Sequence, residues 1–358
     1  MIVSVSTVKD SPQRLATWIT RNLANGIDHM VVFVDDSDPE VLAELGSHDH
    51  VTVVDSLAWW GPSRPGRLNV RQRLSANAVL AAASMVPAVT WVLHHDADEV
   101  AVIDRERLAE CADSTSAFKL TPYEAVSQRV WPDDRVTLFK RPLSTEELML
   151  LAALGVVAKP ANATYFHGHI GGKVAMRPTL SAWLGTHHMV DADKDKQPAF
   201  EAPWLKLLHY ESFSADEFVR KWTNLSTSGG PVATRGARST LAEAIRFLTG
   251  SDLAPEVRHD LMLELFDRHV ADDGELLDRL GFVEQLDPDL GHYVPSFDVV
   301  ARDELTARVE ALATVDKLVF EPGTPAERIR AAWGDAPAPA ATSGAHDTGR
   351  WPRRRTSR

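Results

Sequence analysis

The chain has 358 residues, 44% of them hydrophobic, and a formal net charge of −12. That length and apolar content fit one large domain with an appendage, or two modest domains, and exclude a chain disordered throughout. The acidic balance argues against nucleic acid as the main partner, because a phosphate backbone is met by a basic face. The single cysteine, Cys111, rules out a disulfide framework within the chain and a Cys-rich zinc site. The N-terminus lacks a basic region followed by a long apolar run, and no stretch of about 18 apolar residues occurs, so the expectation is a cytoplasmic protein with no transmembrane helix.

The first hundred residues alternate strand and helix. Ile2 to Ser6 is a β-branched run that ends at Thr7 and Lys9. Ser11 stands at a helix cap with Pro12 at the first helical position, Leu15, Ile19 and Leu23 follow at a spacing of four, and Gly26 closes the helix. Met30 to Val34 is a continuous apolar run, as expected of a strand buried on both faces, and stops at Asp35-Asp36-Ser37-Asp38-Pro39. Val51 to Val54 predicts a third strand ending at Asp55, Asn69 to Met85 a helix, and Val89 to Leu93 a fourth strand followed by His94-His95-Asp96-Ala97-Asp98-Glu99. This βαβ rhythm predicts an open, mostly parallel sheet flanked by helices, in which ligands bind beyond the carboxyl ends of the strands. Polar residues collect at those ends: Thr7 and Lys9, Asp35 and Asp36, Asp55, Asp96 and Asp98.

Further on, Ala117 to Leu120 and Val136 to Phe139 predict strands, and Glu146 to Leu154 a helix. The Gly- and His-rich stretch from Tyr165 to Arg177 is expected to pair as strands near the site, and Trp204 to Tyr210 to form another strand. Asp191 to Gln197 reads as a charged loop, and Ser214 caps a helix carrying Phe218, Lys221 and Trp222. Beyond 239 the periodicity is helical, with segments around Leu241 to Leu248, Leu261 to Phe266 and 301–316. From about 335 the composition turns to Ala, Pro, Ser and Gly and ends in Arg353-Arg354-Arg355, as expected of a disordered tail. The expected organisation is therefore a sheet domain over 1–238, a helical region over 239–334 and a tail over 335–358. Such a tail buries no core, so a chain ending at Ala336 should keep its melting temperature and activity; a large drop in melting temperature would show that the tail docks on the fold.

Two carboxylates at i and i+2 just beyond a buried strand, Asp96 and Asp98, can converge on one divalent ion. Mg²⁺ or Mn²⁺ takes hard oxygen ligands and leaves positions for a diphosphate. An ordinary surface turn is the other meaning of Asp-x-Asp. From here the residues resemble the family 2 glycosyltransferases of GT-A fold. The matching pieces are Lys9-Asp10-Ser11 with Trp18-Ile19, Asn25 to His29, Val31 to Asp38, and Trp91-Val92-Leu93 through Asp96-Ala97-Asp98-Glu99. Later come Gly172-Lys173-Val174 with Arg177-Pro178, then His209-Tyr210 with Ser214, Glu217-Phe218 and Lys221. The resemblance spans roughly residues 1 to 225 and rests on the order and spacing of these pieces together.

The resemblance implies a nucleoside-diphosphate sugar donor, UDP- or GDP-linked, and a Mn²⁺ or Mg²⁺ ion. The acceptor is left open among a carbohydrate, a lipid-linked molecule and a small molecule. By the same token Thr7 and Lys9 would line the nucleotide pocket and Asp35 or Asp36 would hold the base or ribose; this chain is one residue shorter there than the family pattern, which leaves both acids open. Gln72 would start the helix leading to the Asp-x-Asp strand, Asp96 would touch ribose or metal, Asp98 the metal, and His209 would complete the metal shell. Lys173 and His187 would contact diphosphate or acceptor. Inversion in one displacement needs a base for the acceptor proton, with Glu99, Asp191, Asp193 and Glu211 as candidates and the 191–197 loop as a lid. Each role has a structural alternative: Lys9 and the 191–197 loop as solvated surface, Asp36 as a helix cap, Gln72 as a helix-surface residue, and His209 as a buried, hydrogen-bonded histidine. His94, His95, His167, His169, His187, His188 and His209 make an unusual set, and His167-Gly168-His169 is the alternative of a zinc site, though the spacing matches no standard zinc signature. Two other function classes stand beside sugar transfer: a nucleotidyltransferase or phosphohydrolase using the same carboxylates, and a non-catalytic sugar- or nucleotide-binding protein. The chain has neither a Gly-rich phosphate loop nor an Asp-x-Asp-x-Thr signature.

Overall fold

The computed structural model describes residues 1–111, 114–132, 135–227, 237–295 and 298–334, and the expected tail at 335–358 lies outside them. The described chain is a mixed α/β fold: an open, curled sheet flanked by helices, with a helical region toward the C-terminus, an architecture that fits the GT-A type.

The first half contains β1 (Ile2–Val8), α1 (Pro12–Ala24), β2 (His29–Val34), α2 (Pro39–Gly46), β3 (Val51–Asp55), α3 (Ser56–Trp60), α4 (Leu68–Ala83) and β4 (Trp91–His94). β1 runs parallel to β2 on one side and to β4 on the other, and β2 runs parallel to β3. All residues of β1 and β2 are buried because helices cover both faces. Val3, Val5, Val31 and Phe33 pack with Leu74 and Val79 of α4, whereas Ile2, Met30, Val32 and Val34 pack with the Leu15–Ile19–Leu23 stripe of α1. Each fully buried side chain of that stripe contributes about 1.5–3 kcal/mol. Ser11 sits in the cap position of α1 in an extended conformation, but its side chain makes no cap hydrogen bond; Pro12 starts the helix. The cap of α2 is Asp38, which accepts from the amides of Glu40 and Val41, and Asp36 takes no part in it. Gly26 adopts φ +118°, and a Cβ there would lie 2.8 Å from the Ile103 carbonyl oxygen, so a side chain would force α1 away from the sheet.

Then follow β5 (Glu99–Ile103), α5 (Arg105–Ala109), β6 (Ala117–Ala125), β7 (Leu138–Lys140), α6 (Thr145–Ala153), α7 (Asn162–Tyr165) and β8 (Lys173–Met176). β9 (Trp183–Leu184), β10 (Met189–Val190) and β11 (Lys196–Gln197) form a small separate sheet, and β12 (Phe200–His209) and α8 (Ala215–Thr227) close this part. The main sheet continues from β4 through antiparallel β8, β6 and β7. β12 lies parallel to β6 and antiparallel to β5. Toward the C-terminus come α9 (Ala237–Thr249), α10 (Pro255–His269), α11 (Gly274–Arg279), β13 (Val283–Gln285), α12 (Val299–Ala311) and α13 (Ala326–Gly334). The helical region makes one exception to its pattern: β13 pairs antiparallel with β7 at the edge of the main sheet. α12 returns to the N-terminal half, where Leu305 and Val309 share the core of α4.

His29 opens β2 fully inside this core, with Nε2 2.8 Å from the Thr52 hydroxyl. Burial, aided by nearby His50 and Arg302, pushes its pKa down to about 3. The folded state therefore keeps His29 neutral while the unfolded chain protonates it below about pH 6.5. Its contribution is complete above pH 6.5 and is lost as pH falls, at about 1.4 kcal/mol per pH unit. Denaturant titrations from pH 7 to 4.5 should show His29→Gln with a pH slope shallower than wild type by one proton; equal slopes would contradict this assignment.

Candidate active site

The strand order sets the location. The chain moves outward from β1 to β2 and β3, then returns to the other side of β1 with β4, so the strand order reverses between β1 and β4, and open parallel sheets take ligands beyond the carboxyl ends of the strands at such a reversal. The Ser6 hydroxyl donates to the His95 carbonyl across this boundary at 2.7 Å. The neighbouring Thr7 hydroxyl is buried without a hydrogen-bond partner. Lys9 and Asp36 pair at 3.5 Å and are open to solvent. Asp35 is buried, and its carboxylate is held by Arg71 through two bonds of 2.8 and 2.6 Å and by Arg64 at 2.9 Å. Of the two acids left open by the sequence, Asp36 is the less committed.

Beyond β4, Asp96 accepts from Gln72 Nε2 and from Lys173 Nζ, both at 2.6 Å. Gln72 is thus buried in the site, and Lys173 is fully buried beneath it. Lys173 loses hydration there, yet Glu99 and Asp96 overcompensate and its pKa rises. His187 Nδ1 donates to the Gly172 carbonyl oxygen at 2.8 Å, and its ring lies against His169 with centroids 4.3 Å apart.

Asp98, His209 and Glu211 each place a ligand atom within 4.8 Å of the others, and Glu99, His169 and His209 form a second such group. His209 is common to both. Its Nε2 lies 3.7 Å from Asp98 and 3.8 Å from Glu211, and its Nδ1 is buried without a hydrogen bond. Burial pulls the imidazole pKa down, but Asp98, Glu211 and Glu99 prevail and lift it to about 9. Burial likewise opposes ionisation of Asp98; Lys221 and His209 outweigh it and hold that carboxyl well below its usual range. Lys221 of α8 bridges Asp98 and Glu211 at 2.8 and 2.9 Å.

The register of the sheet builds the floor. His209 faces Glu99 on β5 and Glu124 on β6, and Glu124 faces Lys140 on β7. Lys140, Glu124, His209 and Glu99 thus form one row across four strands, in which the two glutamates alternate with a lysine and a histidine. Glu99 is held by His169 Nε2 at 2.8 Å and by the Asp96 amide at 2.7 Å.

Among the candidate bases, Glu99 and Glu211 are committed to these contacts. Asp191 accepts from the amides of Asp193 and Asp195 and from Gln197, so it shapes its own turn. Asp193 is exposed, and among the described residues its carboxylate takes part in no hydrogen bond or ion pair. Sequence reasoning assigned no role to Glu124, Lys140 or Asp272; Lys221 entered only as part of a signature, and His169 only as one of several histidines. An acid in the apolar run Tyr123-Glu124-Ala125 and a lysine ending Leu138-Phe139-Lys140 are the signals that mark the buried pair.

No family model matches the chain, and no curated protein matches it. Among solved structures it is similar to mannose-1-phosphate geranyltransferase from Thermus thermophilus, at 14% identity and a TM-score of 0.25, over 49% of this chain and 57% of that one. It is also similar to S. aureus TarS residues 1–349, at 11% identity and a TM-score of 0.26, over 93% of this chain and 90% of that one. Likenesses this distant carry no argument about activity.

Proposed function

We propose that the chain is a metal-dependent, inverting glycosyltransferase that moves a sugar from a UDP- or GDP-sugar to a carbohydrate, lipid-linked or small-molecule acceptor. The observation that carries this reading is the convergence of Asp98, His209 and Glu211 near the carboxyl end of β4, where the strand order reverses. The donor set fits a divalent ion. Asp96, Asp98, Glu99 and Glu211 meet two lysines, Lys173 and Lys221, which leaves two negative charges for a cation to balance when His209 is a neutral ligand. Carboxylates with an imidazole suit Mn²⁺ or Mg²⁺. When bound, such an ion supplies charge neutralisation to the departing nucleoside diphosphate.

The protein's own groups do the rest of the work in this reading. Thr7, with its unpartnered buried hydroxyl, and Lys9 with Asp36 stand at the ends of β1 and β2, where the nucleotide would bind. Lys173 and Gln72 fix Asp96 for the ribose or the metal. Of the four acids weighed as base, Asp193 is the one with an open carboxylate.

A panel of nucleotide sugars with Mn²⁺ should yield one donor that raises the melting temperature, since only the folded state binds it. Incubation with acceptors should then release free nucleoside diphosphate together with a glycoside of inverted anomeric configuration. Release of nucleotide with no new glycoside would favour phosphohydrolysis and defeat the proposal.

A further inference from the structure

We infer that Glu124 is a positioning residue of the ion site: it orients His209 and clamps the 167–169 segment that walls the imidazole. The inference rests on the ion site proposed above. Glu124 is fully buried in β6. Its Oε1 accepts from the His167 amide at 2.7 Å and pairs with Lys140 Nζ at 2.9 Å; its Oε2 accepts from the Gly168 amide at 2.6 Å. That same Oε2 lies 4.0 Å from His209 Nδ1, the ring nitrogen with no hydrogen-bond partner. A histidine that binds an ion through one nitrogen is set in tautomer and orientation by an acceptor on the other. Here Nε2 faces Asp98 and Glu211, so Glu124 stands where that acceptor belongs.

Gly168 supplies an independent observation. A Cβ at this position would come within 2.3 Å of His209 Cε1 and 2.9 Å of Glu124 Oε2. The segment therefore closes on the imidazole as tightly as a bare backbone allows, with its two amides pinned by Glu124. Asp272, from the turn before α11, anchors the far end of the arrangement: it pairs with Lys140 at 2.9 Å and with His167 Nε2 at 3.2 Å. The helical C-terminal region thus reaches the ion site through Lys140 and Glu124.

Titration of the full chain with Mn²⁺, following the loss of the free-ion EPR signal, tests this. Wild type should bind, and Glu124→Gln should bind ~10–100-fold more weakly, the usual effect of losing such a supporting carboxylate. Activity of Glu124→Gln should recover at saturating Mn²⁺, which a merely structural defect would not permit. Gly168→Ala, which displaces the ring without touching charge, should weaken Mn²⁺ in the same direction and keeps the test open if Glu124→Gln does not fold. Wild-type Mn²⁺ affinity in either folded variant would overturn the positioning role and leave the ion site standing. No Mn²⁺ binding by wild type would overturn the ion site itself and the inference with it.

Discussion

Asp98→Ala is expected to abolish sugar transfer while the fold persists. Asp98 is partly exposed on the turn between β4 and β5, and its backbone carbonyl, which accepts from the Tyr210 amide at 2.8 Å, survives the substitution. On the proposed function, what disappears is one of the three groups that would hold the ion, and with it several kcal/mol of stabilisation of the leaving diphosphate. At about 1.4 kcal/mol per tenfold, roughly 4 kcal/mol is a 1,000-fold loss in kcat. His209→Ala should be as severe, since His209 belongs to both groups of converging ligands. Excess chelator should silence wild type, and Mn²⁺ or Mg²⁺ should restore it. Undiminished turnover in chelator would remove the ion from the mechanism.

Lys140→Met is expected to be among the most destabilising single changes in the chain. The Lys140 ammonium is fully buried and has three acceptors: Glu124 and Asp272, each at 2.9 Å, and the Tyr165 carbonyl at 3.2 Å. Burial disfavours its charge, but the two carboxylates prevail and raise its pKa. Removing the ammonium leaves the buried Glu124 and the half-buried Asp272 without their shared lysine, held only by backbone amides and His167, at a cost of about 3–5 kcal/mol. Denaturant unfolding should report a loss of that size. Adding Asp272→Asn to Lys140→Met should cost less than the sum of the two single changes, because each removes the other's partner. Strict additivity would show that the three groups do not act as a unit.

The βαβ half is legible because its strands are buried on both faces and read as unbroken apolar runs, and because α1 shows a clean four-residue stripe. Boundaries differ by a few residues where tertiary pairing extends a strand, as with β6, which runs on to Ala125 across the buried acid Glu124. β5 escapes a reading of the sequence: its Glu99 looks like the tail of the acidic motif, and only pairing with β12 makes Glu99–Ile103 a strand. β13 escapes it because three residues are too few to show a period of two inside a helical stretch. Asp98 stands out by its spacing to Asp96 beyond a buried strand, and His209 and Lys173 by the family resemblance alone. Their neighbours Glu124, Lys140 and Asp272 do not stand out, since what unites them is strand register and a contact spanning 132 residues.

That last separation bears on how the protein is made. At roughly 5–20 residues per second, a ribosome has Lys140 in hand on the order of ten seconds before Asp272 emerges. The parallel strands β1 to β4 and their helices can assemble as they appear, but Lys140 waits for one of its two counter-ions, and β7 waits for its edge partner β13. Closure of the floor beneath the candidate site is therefore a late event in biosynthesis, and a nascent chain stalled before Asp272 carries a nearly complete sheet with an open edge and a lysine short of one acceptor.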